Sequence, residues 1–275
     1  MLSDHGQSQG QSFQDRFGAD LGEVCTKLMD EEVVSLDAPV EDWGRVESLA
    51  EDLSGTGLSG RAASRAASAS RRHIDQSADV VTSADLTVLG SGNLGMLYVH
   101  SPVRLTLEDL EQRWPKLIPG LCAHDGVGFI AGVDSFGVPW AIGANGRIRL
   151  DTGEVAGEDP LHPYRNHAAR VLCRAVVMPE APDLYVNSRV DEVTLDIAAF
   201  EPLVGAHGGL GGWQDRAVLI TPRTLAHVLP TEHIEGADRV HGVLVAMLRT
   251  VGQRKTVLDL HDQQHAPGPD LPADS

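Results

Sequence analysis

Near the start of the chain apolar residues recur at three- and four-residue steps: Phe13, Phe17, Leu21, Val24 and Leu28. That spacing lays an apolar stripe along one helix face and predicts an amphipathic helix over about residues 11 to 29. From Asp85 the period shortens to that of strands. Leu86 to Leu89 and Leu94 to Val99 flank Gly90-Ser91-Gly92-Asn93, and Pro102 stops the second run, so two strands across a tight connection are expected. Leu105, Leu107, Leu110 and Trp114 return to helical spacing, with Thr106 ahead of Glu108 and Asp109 as a start signal. Strands are predicted at Val127 to Val133, Pro139 to Gly143 and Arg147 to Leu150, with turns at Ser135 to Gly137 and Asn145-Gly146. A helix is expected from Tyr164 to Ala175. Buried strand ends should lie at Asp183 to Asn187 and Val218 to Thr221, and a closing helix at Ala237 to Val251. Helices alternating with short apolar strands make the class α/β, with an antiparallel hairpin region between about residues 85 and 150.

Two stretches fall outside this pattern. Ser54 to Ala78 is built of Ser, Ala, Gly and Arg, including Arg61, Arg65, Arg71 and Arg72, with no acid until Asp75. That composition reads as a flexible insertion, and an Ala-rich surface helix over 61 to 72 is the alternative. The tail after Leu260, with Pro267, Pro269 and Pro272, is expected to be disordered. The chain therefore divides into a first segment at 1–53, the insertion at 54–78, the remainder of the α/β domain at 79–260 and a tail at 261–275.

Composition narrows the function classes. The 275 residues are 42% hydrophobic, enough for one large domain or two small ones. Lys and Arg number 22 against 39 Asp and Glu, and a net charge of -17 repels nucleic acid and anionic membranes. No nucleic-acid partner is expected, and an anionic substrate needs a local cation. Cys25, Cys122 and Cys173 are far apart and odd in number, which argues against a disulfide framework and against a thiolate zinc cluster. No window approaches 18 uninterrupted apolar residues, so no membrane segment is expected.

The first candidate chemistry is Asp4-His5, a carboxylate oxygen and an imidazole nitrogen on adjacent residues, followed by Gly6, which lets the backbone turn tightly beside a ligand. Ser3-Asp4-His5-Gly6 resembles the strand-end metal motif of the nucleotide pyrophosphatase/phosphodiesterase branch of the alkaline phosphatase superfamily. In that family a second histidine lies far downstream between glycines, ahead of a core strand. Gly205-Ala206-His207-Gly208-Gly209, followed by Ala217-Val218-Leu219-Ile220, is similar in order and context. A loop histidine among glycines is the plain alternative for His207. The resemblance extends over Ser91 to Leu94, Pro182 to Ser188 and the closing helix, and is greatest to bacterial proteins in which this domain follows a holin-like membrane segment. It implies a partial three-layer α/β/α sandwich of alkaline phosphatase type. It also implies two divalent metal ions, Zn or Mn, with Asp4 and His5 on one and His207 on the other, and a phosphate ester substrate. Arg189 is a candidate for contact with a phosphoryl group, with a surface ion pair as the alternative.

In the family the first aspartate ligand, the Thr or Ser nucleophile and an Asp plus His pair lie upstream of the Asp-His-Gly motif. Here Met1 and Leu2 alone precede Ser3, so the expectation is a domain truncated at its N-terminus, binding metal weakly and showing little phosphodiesterase activity. A non-catalytic interaction module is the alternative. The expected location is cytoplasmic for the chain made alone, and membrane-associated if a complete protein carries an upstream membrane segment.

Other constellations are weaker. Gly90-Ser91-Gly92-Asn93-Leu94-Gly95 has the GxGxxG spacing of dinucleotide sites, but Met96 to Val99 is strand-like and leaves no room for the crossover helix, which favours a hairpin over an NAD-dependent oxidoreductase. Asp159, His162 and His167 sit in a Pro-stiffened loop, where Asp159 is expected to serve a turn. His261 and His265 fall in the tail.

Overall fold

The computed structural model describes residues 1–31, 33–36, 85–164, 167–203 and 205–253. The insertion expected at 54–78 and the tail expected at 261–275 lie outside them. The chain forms two compact units. The larger runs from Asp4 to Ala217, and the smaller combines Met1–Ser3 with the chain from Val218 onward.

The larger unit is mixed α/β, built on a large, mainly antiparallel sheet. Its strands are β1 (Ser8–Gln9), β2 (Val34–Leu36), β3 (Leu86–Ser91), β4 (Leu94–Val99), β5 (Val127–Val133), β6 (Pro139–Ile142), β7 (Gly146–Arg149), β8 (Val155–Gly157), β9 (Leu184–Ser188) and β10 (Gly205–Ala206). Eight of them form one sheet in the order β2-β3-β4-β9-β5-β6-β7-β8, and β1 pairs with β10 in a separate two-stranded ladder. Within the large sheet β2 runs parallel to β3 and every other neighbour is antiparallel. The antiparallel region expected between residues 85 and 150 thus reaches Ser188, because β9 inserts between β4 and β5 antiparallel to both.

All five residues of β9 are buried. Leu184 and Val186 join one apolar cluster with Leu21, Val24, Leu110 and Leu121, while Tyr185 joins another with Phe129, Leu172 and Val176. Alternate side chains of one strand therefore feed cores on opposite faces of the sheet. A bulge in β5, where the register to β9 shifts between Val127 and Phe129, puts Val127 and Ile130 in the same cluster despite their odd spacing. The extra residue is Gly128, whose Cα faces the Tyr164 hydroxyl that donates to the Ser188 carbonyl at 2.8 Å.

The helix expected over residues 11 to 29 is two helices, α1 (Phe13–Phe17) and α2 (Leu21–Met29). Gly18, at φ 76°, ends α1, and Asp20 starts α2 with a capping box to Glu23. The apolar spacing runs through this break because both pieces bury the same side of the segment, so periodicity alone hides it. The helix after Pro102 is α3 (Leu107–Arg113), capped by Thr106 and Asp109 as the sequence signals. A fourth helix, α4 (Leu117–Ala123), has no counterpart in the sequence reading. Pro119 stands in its first helical turn, where the missing N–H leaves no gap, and Gly120 lets Leu28 of α2 approach. The helix predicted from Tyr164 begins later, as α5 (Ala168–Val176).

In the smaller unit, Leu2 and Leu219 form an antiparallel bridge. The buried strand expected at Val218 to Thr221 is not formed, since Val218 and Ile220 are 55% and 56% exposed. A short 3-10 helix at Arg223–Val228 precedes α6 (Ala237–Thr250), which matches the predicted closing helix. No helix of the described residues is long and apolar enough to cross a membrane.

Candidate functional site

The ladder of β1 and β10 builds the site. Its register pairs Ser8 with Ala206 and Gln9 with Gly205. His5 precedes β1 and His207 follows β10, which in an antiparallel ladder brings both to the same end. The two imidazoles stack, with ring centroids 3.7 Å apart and planes inclined by 23°. The chain is held there from beneath. The Gly6 N–H donates to the Gln214 carbonyl at 2.8 Å, and the Ser8 hydroxyl oxygen accepts from the N–H groups of Trp213 and Gln214. Gly6 packs so closely on the Trp213 and Arg216 carbonyls that a side chain would collide with them.

The glycine loop that carries His207 rests on a buried platform of amides. The Asn93 and Asn187 amide groups donate to the Leu210 carbonyl, the Asn187 Oδ1 accepts from the Leu210 N–H at 2.8 Å, and Gln214 donates to Asn93 Oδ1 at 2.8 Å. A Cβ on Gly209 would strike Asn93 and Asn187, and one on Gly208 would strike Ser91. The glycines flanking His207 thus follow from close backbone approach. Asn93 itself belongs to the two-residue hairpin loop between β3 and β4, where Gly92 takes φ 57°. No helix starts at these glycines, so the GxGxxG stretch is a hairpin and the dinucleotide reading falls.

Asp4 completes the group. Its Oδ2 lies 3.6 Å from His5 Nε2, while His5 Nδ1 is 2.6 Å from the Gly6 carbonyl oxygen. An Nδ1–H donating to that carbonyl fixes the ring with Nε2 toward the carboxylate. Donors at about 2.0–2.1 Å from a tetrahedral ion are about 3.4 Å apart, so Asp4 and His5 are spaced to share one ion. His207 stacks on the His5 ring, with the two planes inclined by 23°. Among the described residues no group of three or more His, Cys, Asp or Glu side chains converges on one position. Backbone N–H groups of Asp4 and His5, and then charge on His5 and His207, hold the Asp4 carboxyl below the usual carboxylate range.

Arg189 is not brought to this group. Its backbone N–H donates to the Gly126 carbonyl, and the residue lines a 70 Å³ cleft with Arg16, Phe17, Asp125 and Asp191. Asp159 accepts from the Leu161 N–H and serves a turn, as expected. His167 instead meets Asp215, at 3.5 Å in a largely buried pair that the sequence does not signal. His261 and His265 lie outside the described residues. Sequence reasoning missed Gln214, Trp213 and Arg216, which pack on Gly6, and Ser8, which packs on Gly212; the first three carry one outward sign, their position just after the glycine run. No family model, no curated protein and no solved structure matches the chain.

Proposed function

We propose that this chain carries part of a divalent-metal site for phosphoric ester hydrolysis, of the kind found in the alkaline phosphatase superfamily. The observation that carries the reading is the meeting of Asp4 and His5 with His207 across the β1–β10 ladder. Asp4 and His5 would hold one ion and His207 the adjacent one, with Zn and Mn both suited to mixed nitrogen and oxygen donors. Such ions, when bound, neutralise the phosphoryl oxygens as charge develops. The protein's own contribution is to fix the donors: Gly6 locks the His5 ring through its carbonyl, and the Asn93–Asn187–Gln214 platform fixes the loop that carries His207. Apolar clusters on both faces of the sheet support the α/β/α layering that belongs to the same proposal.

Calorimetric titration of the purified chain with Zn and with Mn tests the reading. Binding should occur, and Asp4→Ala and His207→Ala should each weaken it at least about tenfold. Binding indifferent to both substitutions, or no binding, would leave a structural histidine stack and the interaction-module reading.

A further inference from the structure

We propose that Arg216, backed by Trp213, is a specificity-determining contact for an oxyanion carried by the ligand of the Asp4–His5–His207 site; the assignment rests on the proposed function of that site. The turn after the glycine loop sets the two side chains together. The Arg216 N–H donates to the Trp213 carbonyl at 3.1 Å, and the guanidinium lies over the indole ring, 4.0 Å from its centroid. The guanidinium thus rests against an exposed indole, and arginine recognises phosphate or carboxylate with two parallel hydrogen bonds. Trp213 is 48% exposed and Arg216 is exposed.

Position ties the pair to the site. The carbonyls of Trp213 and Arg216 both press on Gly6, the residue after His5, and Gln214 between them accepts the Gly6 N–H. Arg216 is thereby placed to serve an anionic group of the ligand held at this site. In a chain of net charge -17, a fixed cation beside the site is what such a ligand needs to be retained.

Inorganic phosphate is the probe, titrated into the full chain with and without Mn, with Mn binding measured separately. Arg216→Ala should weaken phosphate binding about tenfold without changing Mn affinity. Arg216→Lys should recover part of the loss, and Trp213→Leu, which keeps the charge but removes the stack, should weaken binding less than Arg216→Ala. Thermal unfolding should be unchanged in all three. Phosphate binding that is absent, or equal in wild type and Arg216→Ala, overturns the assignment even if Asp4→Ala and His207→Ala abolish Mn binding. Arg216-dependent phosphate binding in a chain that takes up no Mn upholds the assignment and removes the metal reading.

Discussion

His5 and His207, from opposite ends of the larger unit, stack with ring centroids 3.7 Å apart. A metal bound through the His5 imidazole loses a donor when the ring is removed, so His5→Ala should weaken Zn and Mn binding at least about tenfold. Calorimetry on the variant checks this. Unchanged affinity would mean that the His5 imidazole is not a donor.

The glycine loop gives a stability test independent of metal. Gly209→Ala drives a methyl group into the side-chain oxygens of Asn93 and Asn187, and should destabilise the protein by about 1–3 kcal/mol in urea unfolding. Gly18→Ala is the control. Gly18 has open space around it but φ 76°, so only backbone strain of about 1–2 kcal/mol is expected. Because the Gly209 clash lies under the loop carrying His207, that variant should also lose metal affinity, and Gly18→Ala should not.

Asp183, 5% exposed at the head of β9, accepts from the Val99 N–H at 2.7 Å and from the Leu105 N–H at 2.5 Å. Asp183→Ala leaves both donors without it and should cost about 2–4 kcal/mol. Asp183→Asn retains one acceptor oxygen and should cost less. Equal loss in the two variants would show that the hydrogen bonds are not what the carboxylate supplies.

The three thiols should differ in reactivity. Burial pushes Cys25 up to about 12, with Asp20 adding to the effect, and pushes Cys122 up to about 11. Both are nearly all thiol at neutral pH. Cys173 is only partly buried. A maleimide reagent on the native chain should label Cys173 first, and label Cys25 and Cys122 only on unfolding, as read by peptide mass.

Asp109 provides the acid-side test. Hydrogen bonds from the Thr106 backbone and then from its hydroxyl hold this carboxyl below its ordinary 3.8. A depressed value means that the charged cap contributes fully above the unfolded pKa and is lost as pH falls through the folded one. NMR titration should show Asp109 moving up toward 3.8 in Thr106→Ala.

Much of the local structure was legible in the sequence. The β3–β4 hairpin, the cap of α3, the strand at Val127–Val133 and helix α6 all depend on residues a few positions apart, whose spacing and capping chemistry act within one element. The sequence also singled out Asp4, His5 and His207 as candidate donors. Only the tertiary structure decided that β9 enters between β4 and β5, that the two histidines stack, and that Arg189 faces another cleft while Arg216 and Trp213 adjoin Gly6. The helix around Pro119 likewise rests on its packing against α2, whereas the break at Gly18 is local, a glycine stop followed by the Asp20–Glu23 capping box, which the unbroken apolar period masks. The physical reason is range: a cap or turn is settled by its neighbours, whereas strand order and the meeting of distant loops are settled by burial and hydrogen bonding summed over the whole unit, which no local pattern encodes.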